Sequence, residues 1–373
     1  MTSKERITTA MKCGVPDRVP VTMGLSEMVP VKYFGDDYLE FFIKNPVPLW
    51  KARVETEHDR FHSDSFLHLA PGPSPRDPEM TRTITRETAD EINYSLTYNT
   101  AAGPLTAEYL ISKNNSPAAL APFVRDTETD IPKALELLKH PDSKDLAEIK
   151  TAYAAIGGRA HAGLWLPMPV DWWSSLRGTQ DAVMDLMLQP ELMADLFKAY
   201  TEYAVCLVGH VLAGATLDSV GLGGSTTSMS VISPDLHRQF SLDFGKAVCA
   251  KAHEFKLPVQ YHMCGKSRQA LPITAEMGVD GFDALECPPT GNVDLAEVKK
   301  AFGGKISLRG NVNSITVMLN GTPKDVEDAV KACMDAAKAG GGYILGVGDQ
   351  TPKDTPEENL HAFVEAGLKY GKY

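Results

Sequence analysis

The feature that most constrains this chain is a unit that recurs along it: a short apolar run, a loop rich in Gly and Pro, then a helical stretch. Eight such runs can be read, at 18–24, 61–69, 160–166, 217–223, 258–264, 281–286, 305–310 and 342–348. Helical patterns separate the later ones: 190–212, closed by Gly214; 234–255, with Ser233 as N-cap; 293–302; and 323–339, ending at Gly340-Gly341-Gly342. Strands joined through helices are parallel, with right-handed crossovers. Eight of them predict closure into a single (β/α)8 TIM barrel spanning 1–373 as one domain. An open doubly wound sheet is the rival architecture. One stretch breaks the rhythm. Residues 81–113 are rich in Thr, Tyr and Ile and alternate over short lengths, so a β-hairpin insertion after the second strand is expected, over part of the barrel mouth.

Composition narrows the functional class. The formal net charge of −11 makes nucleic acid and anionic membrane poor partners, since both present negative charge. The six cysteines are scattered through a long chain, which fits no disulfide framework. No apolar signal core follows Met1-Thr2-Ser3-Lys4-Glu5-Arg6, and no apolar run is long enough to span a bilayer. The expectation is a cytoplasmic protein with reduced thiols.

In a barrel of this kind the strand ends and the loops after them build the site. The fifth run reads Pro258-Val259-Gln260-Tyr261-His262-Met263-Cys264-Gly265. Strand side chains alternate, so His262 and Cys264 share a face at the C-terminal end. A nitrogen and a thiolate so placed suit zinc; the competing reading is a buried histidine beside a small buried cysteine. Glu286 ends the sixth run before Cys287-Pro288-Pro289, and Asp349 is the first polar side chain after the eighth. Either acid could instead cap a helix or bond a loop. The fourth run leads into Gly223-Gly224-Ser225-Thr226-Thr227, whose glycines would let a ligand approach the backbone. Trp165 at the end of the third run, with Met168, Trp172 and Trp173 just after it, could line an apolar pocket for a ring, Trp172 and Trp173 as its walls; packing of loop against helix is the alternative. Asp64 is placed as a further substrate contact, with a solvated loop acid as the plainer reading.

These residues carry a resemblance. Lys4-Glu5-Arg6, Pro16-Asp17-Arg18-Val19-Pro20-Val21, Ser233-Pro234, His262-Met263-Cys264-Gly265, Leu308-Arg309-Gly310-Asn311-Val312 and Thr355-Pro356-Glu357-Glu358-Asn359 span nearly the whole chain. Together they resemble the uroporphyrinogen decarboxylase superfamily, and the His-x-Cys-Gly block resembles its corrinoid-dependent methyltransferase branch. The resemblance implies zinc held by the His-x-Cys pair and a later Cys that follows a Gly at the end of strand eight. Here Asp349 follows Gly348 instead. Asp349 replacing the sulfur, Glu286 completing the site, and no metal at all are the alternatives. Decarboxylases of the superfamily grip substrate carboxylates with arginines after strand one. This chain has Gly24-Leu25-Ser26-Glu27-Met28-Val29-Pro30 there, without Arg, which speaks against a tetrapyrrole.

The ligand set implies a reaction. A carboxylate in place of a thiolate makes zinc a harder Lewis acid, suited to an oxygen leaving group. The expectation is O-demethylation of a small methylated substrate, an aryl methyl ether, with methyl passing to Co(I) of a partner corrinoid protein. His262, Cys264 and Asp349 would be ligands, and Glu286 a fourth ligand or the proton donor. No Asp-x-His-x-x-Gly segment for binding a corrinoid occurs in the chain, so the cobalamin cofactor would arrive on that partner. Loops near Pro288-Pro289 and at 167–173 are its expected docking rims. The alternatives are methyl transfer from a methylcorrinoid to a thiol or pterin, and a decarboxylase or ligand-binding barrel. Homodimerisation occurs in the superfamily, though no residue pattern here shows it.

Overall fold

The computed structural model describes residues 1–34, 37–44 and 46–373. Its strands are β1 (Ser65–Leu69), β2 (Glu79–Glu87), β3 (Glu91–Thr100), β4 (Gly103–Ser112), β5 (Asn115–Ala121), β6 (Ala160–Pro167), β7 (Ser219–Gly223), β8 (Val259–His262), β9 (Gly281–Asp283), β10 (Ser307–Val312) and β11 (Tyr343–Val347). A seven-stranded sheet runs in the order β1-β6-β7-β8-β9-β10-β11. Every pairing in it is parallel. Each of its strands falls within an expected run or overlaps it closely.

The first expected run, 18–24, forms isolated bridges rather than a ladder, Val21 to Leu345 and Leu25 to Thr351. Pro20 has no N–H to give, but its carbonyl accepts from Leu345 N–H at 2.9 Å. On the other side, the Val21 carbonyl accepts from Asp64 N–H at 2.7 Å. This short segment therefore touches both β11 and the start of β1, the two ends of the sheet.

Strand alternation sorts the side chains. Leu67, Leu164, Val220, Tyr261, Phe282 and Leu308 pack in one buried cluster with helical residues such as Val208, Val248, Val330 and Phe363. The opposite phase carries His68, Trp165, His262, Asp283 and Arg309, which meet one another on the inner face. The helices form where the apolar periodicity places them, among them Pro190–Gly214, Pro234–Glu254, Leu295–Phe302 and Pro323–Ala337. Ser233 caps its helix by accepting from Leu236 N–H at 3.2 Å. Among the described residues, no helix is long and apolar enough to cross a membrane.

The insertion is larger than expected. It is an antiparallel sheet in the order β2-β3-β4-β5, running from Glu79 to Ala121 rather than over 81–113. Its last strand, Asn115-Ser116-Pro117-Ala118-Ala119-Leu120-Ala121, is poor in β-formers and carries Pro, which an edge strand tolerates. Ile92, Tyr94 and Ile111 pack on Val31, Phe41 and Ala52, while Leu105 and Ala107 pack on Val170, Trp173 and Leu186. The sheet thus bridges the segment after the first run and the helices after β6.

Asp64 lies at the N-terminal end of β1, away from the strand ends that carry His262 and Asp349. The strand begins at Ser65 rather than at Phe61, and this corrects the expectation that Asp64 contacts substrate. Its carboxylate is 2% exposed and pairs with Arg6 and Arg18, each at 2.6 Å. It also accepts from Ser3 Oγ at 3.0 Å and Val21 N–H at 2.8 Å. It ties the N-terminal helix and the first run to β1. Asp64→Asn should lower stability by about 3 kcal/mol in urea denaturation, because two arginines lose a buried partner; an unchanged midpoint would refute this role.

His161 on β6 is fully buried, its Nδ1 3.1 Å from Thr8 Oγ1 and its Nε2 2.9 Å from Ser219 Oγ. Burial pushes its pKa down to about 3. As pH falls from about 6.5 to about 3, the unfolded chain takes up a proton that the native protein refuses. Stability therefore falls with pH there, by up to about 1.4 kcal/mol per pH unit from this residue. Urea midpoints measured across that window should fall less steeply in His161→Gln than in the wild type.

Candidate metal centre

β8 ends at His262, and Cys264 follows in the turn beyond it. His262 pairs in register with Gly223 on one side and Asp283 on the other. Gly223 has φ +153, and a Cβ there would lie 2.2 Å from the His262 carbonyl oxygen, so a side chain is excluded. Gly265 has φ +72, and its missing Cβ leaves room for Ser230 Oγ. The Gly265 N–H donates to Glu286 Oε2, which pins the turn just after Cys264.

Asp349 arrives from the end of β11. One ligand atom each of His262, Cys264 and Asp349 lies within 4.8 Å of the others. His262 Nε2 is 3.6 Å from Asp349 Oδ1. Ligands at zinc distances on a tetrahedron stand ~3.4 Å apart, so the spacing suits one ion. The side chains of His262 and Asp349 are 18% and 36% exposed, so the group is open on one side. One nitrogen, one sulfur and one carboxylate oxygen converging on a point fit a divalent metal.

The nitrogen is aimed. His262 Nδ1 is 2.9 Å from Asp283 Oδ2, which leaves Nε2 facing Cys264 and Asp349. Asp283 in turn accepts from Arg309 Nη1 at 2.9 and 3.0 Å and from Ala284 N–H at 2.7 Å. Arg309 Nε donates to Thr22 Oγ1 at 2.9 Å. Burial opposes the charge on Asp283, but Arg309 and His262 outweigh it and hold the carboxyl well below the usual range. Burial likewise opposes a charged His262, and Asp283 and Cys264 override it, raising its pKa. For Asp349, burial raises the pKa; His262 pulls it down, while Glu286 and Asp283 push it up. Between Asp283 and Glu286 the chain passes through Ala284 at φ 77 and Leu285 at φ 39, left-handed conformations that cost energy outside glycine.

The other expected site residues are distributed as follows. Glu286 is buried beside the group, its Cγ 3.0 Å from where a Cβ on Gly348 would stand, but it lies outside the three-residue cluster and is committed to the Gly265 amide. Trp172 and Trp173 belong to the helix Pro169–Arg177. Trp173 is fully buried and donates from Nε1 to Asp185 at 3.0 Å, while Trp172 stacks on Tyr200 at 4.6 Å. The expectation that both wall a substrate is corrected: the chain turns helical at Pro169, which aims them at neighbouring helices. The Gly-rich loop after β7 is occupied likewise. A Cβ on Gly224 would collide with Asp171, whose carboxylate accepts from Thr226 N–H and Thr227 Oγ1 at 2.7 Å.

Three further residues stand beside the site; Trp165 is a pocket-lining candidate from the sequence, while Asp283 and Arg309 have no role assigned there. Half-buried Trp165 stands edge-on to His262, ring centroids 6.1 Å apart, and rests on His68 at 4.8 Å. Asp283 and Arg309 complete the set. All three share the inward strand phase, and that alternation beside buried Leu164, Phe282 and Leu308 is the signal that marks them.

Comparison with known proteins places this geometry in a family. The uroporphyrinogen decarboxylase (URO-D) family pattern matches residues 96–370. A solved structure described as a methyltransferase from Methanosarcina mazei covers 99% of both chains with a TM-score of 0.68 at 20% identity, a likeness of fold. The methylcobamide:CoM methyltransferase MtbA of Methanosarcina mazei is 28% identical over 53% of this chain and 52% of its own length. MtaA of Methanosarcina barkeri, also named a methylcobamide:CoM methyltransferase, is 26% identical over 69% and 73%. The uroporphyrinogen decarboxylase of Coxiella burnetii is 25% identical over 48% of each. The chain spans about half the length of several of the curated relatives it matches. From its strand order, its converging strand ends and a family match running from β3 to the last helix, this chain belongs to the uroporphyrinogen decarboxylase (URO-D) family.

Proposed function

We propose that this chain is a corrinoid-linked methyltransferase of the methyltransferase branch of its family, with zinc held by His262, Cys264 and Asp349. In the same reading the segment at Val21 serves as the eighth strand that closes a (β/α)8 barrel. The observation that carries the proposal is the convergence of one nitrogen, one sulfur and one carboxylate oxygen within 4.8 Å, open to solvent on one side. The names of relatives matched at both MtbA and MtaA support methyl transfer involving a corrinoid.

The substrate is a small methyl ether, an aryl one. With a carboxylate among its ligands, zinc supplies Lewis acidity toward an ether oxygen. The chain's own residues do the rest. Trp165, beside His262, offers a flat wall for the ring. Asp283 holds the His262 ring in place through Nδ1. Glu286, beside Gly348, accepts the Gly265 N–H at Oε2, and its other oxygen would give the proton to the departing oxygen. Co(I) of a partner corrinoid protein docked over the strand ends would be the methyl acceptor.

A second reading has specific support. The curated relatives include a methylated-thiol–coenzyme M methyltransferase of Methanosarcina mazei, 27% identical over 51% of this chain. In that reading methyl moves from a methylcorrinoid to a thiol, the direction that the methylcobamide:CoM names print for MtbA and MtaA. The carboxylate at Asp349 favours the oxygen substrate, because a second thiolate would better keep a bound thiol nucleophilic.

Elemental analysis of the purified protein should find one zinc per chain, lost in His262→Ala and Cys264→Ala. Stoichiometric zinc kept in both variants would sink the ligand assignment. Methyl transfer from methyl ethers to Co(I) corrinoid, set against transfer from methylcobalamin to thiols, separates the two readings. On the preferred ether, Trp165→Ala should raise KM about tenfold with little change in kcat, as loss of uniform ring binding does.

A further inference from the structure

Beneath the metal-binding face, a chain of side chains crosses the inner face of the sheet from the first run to β8. Thr22 Oγ1 donates to the Leu345 carbonyl at 2.9 Å and accepts from Arg309 Nε at 2.9 Å. Arg309 Nη1 reaches both oxygens of Asp283, and Asp283 Oδ2 meets His262 Nδ1. The Arg309 and Asp283 side chains are only 13% and 7% exposed. The arginine's path is built in: a Cβ on Gly346 would stand 3.2 Å from Arg309 Cγ.

A buried ion pair of this kind is costly to desolvate and is weak evidence for stability. Its geometry is directed at one atom. We propose that Asp283 and Arg309 are positioning residues that set which nitrogen of His262 carries the proton, and thereby the metal affinity of the site. This rests on the metal assignment proposed above.

The two oxygens of Asp283 are not equivalent. Oδ1 accepts from the backbone N–H of Ala284 at 2.7 Å, a donor that cannot turn away. Oδ2, which Arg309 Nη1 also reaches at 3.0 Å, is the oxygen that meets His262 Nδ1 at 2.9 Å. A carboxylate accepts at both positions, so Nδ1 must donate and Nε2 keeps its lone pair for the metal. In Asp283→Asn the Ala284 N–H holds the amide oxygen at the Oδ1 position. The amide NH2 then faces His262, Nδ1 must accept, and the proton moves to Nε2, where it blocks coordination. Arg309 acts one step back, by holding the Asp283 carboxylate in this rotamer through both oxygens. Arg309→Lys retains a cation there, whereas Arg309→Met does not.

The test measures zinc affinity by competition with a chelator for the wild type, Asp283→Asn, Arg309→Lys and Arg309→Met, each checked by thermal unfolding. The absorption spectrum of the cobalt(II)-substituted proteins is recorded alongside. Asp283→Asn should bind zinc about 10- to 100-fold more weakly while still folding, with a changed cobalt(II) spectrum that reports loss of the imidazole. Arg309→Met should follow in the same direction, and Arg309→Lys should recover part of the loss. Wild-type zinc affinity in a folded Asp283→Asn protein overturns the positioning role and leaves the metal site standing. A wild type that binds neither zinc nor cobalt(II) overturns the metal site and this inference together.

Discussion

The contact between the Asp283 carboxylate and the Arg309 guanidinium is the interaction around which the centre of this protein is arranged. Asp283 sits at the end of β9 and Arg309 inside β10, so the pair joins adjacent strands on the inner face. A buried carboxylate is tolerated only when paired and fully bonded, and Asp283 has Arg309, Ala284 N–H and His262 as partners. Arg309 meets the same demand by reaching Thr22 at the first run. The residues that satisfy this pair are drawn from separate parts of the chain. Glycines at 24 and 346 leave the space through which the arginine passes.

A second buried carboxylate, Asp64, holds the opposite end of the molecule. It too is clamped by arginines, Arg6 and Arg18, yet among the described residues no metal-capable group gathers around it. The two acids follow the same electrostatic rule and differ in position relative to the strands. At the start of a strand the pair joins the N-terminal helix and the first run to β1. At the end of a strand it orients a histidine toward an open face. Position along the strand separates an ion pair that joins elements at one end of the sheet from one that meets the candidate site at the other.

The reading of the fold from sequence succeeded where side-chain period was the signal. Strands from β6 to β11 fall in runs bounded by Gly, Pro or helix caps, and Ser233 caps the helix it was expected to cap. The insertion was found but undersized, because β5 is written in Ala and Pro, residues that pair only when a neighbouring strand offers its edge. At the site, His262, Cys264 and Asp349 were each legible as polar residues at the ends of apolar runs, and the structure brings them together. Trp172 and Trp173 misled because composition marks an aromatic cluster without saying which way a helix will turn it. Trp165, inside the strand and in phase with Gly163, is the one that stands beside His262.

By itself the sequence determined the parallel α/β architecture, the order of its strands and the two-residue spacing that places His262 and Cys264 on one face. These follow from local periodicity and turn chemistry, which act over a few residues. The tertiary structure alone decided that Asp349, far beyond Cys264 in the chain, is the acid that joins them, and that Glu286 instead clamps the Gly265 amide.

 It also decided that Asp283 and Arg309 lie beneath His262. The reason is physical: which strand ends meet depends on how the sheet curls and how each buried charge finds its partner, and both are settled between segments far apart in the chain.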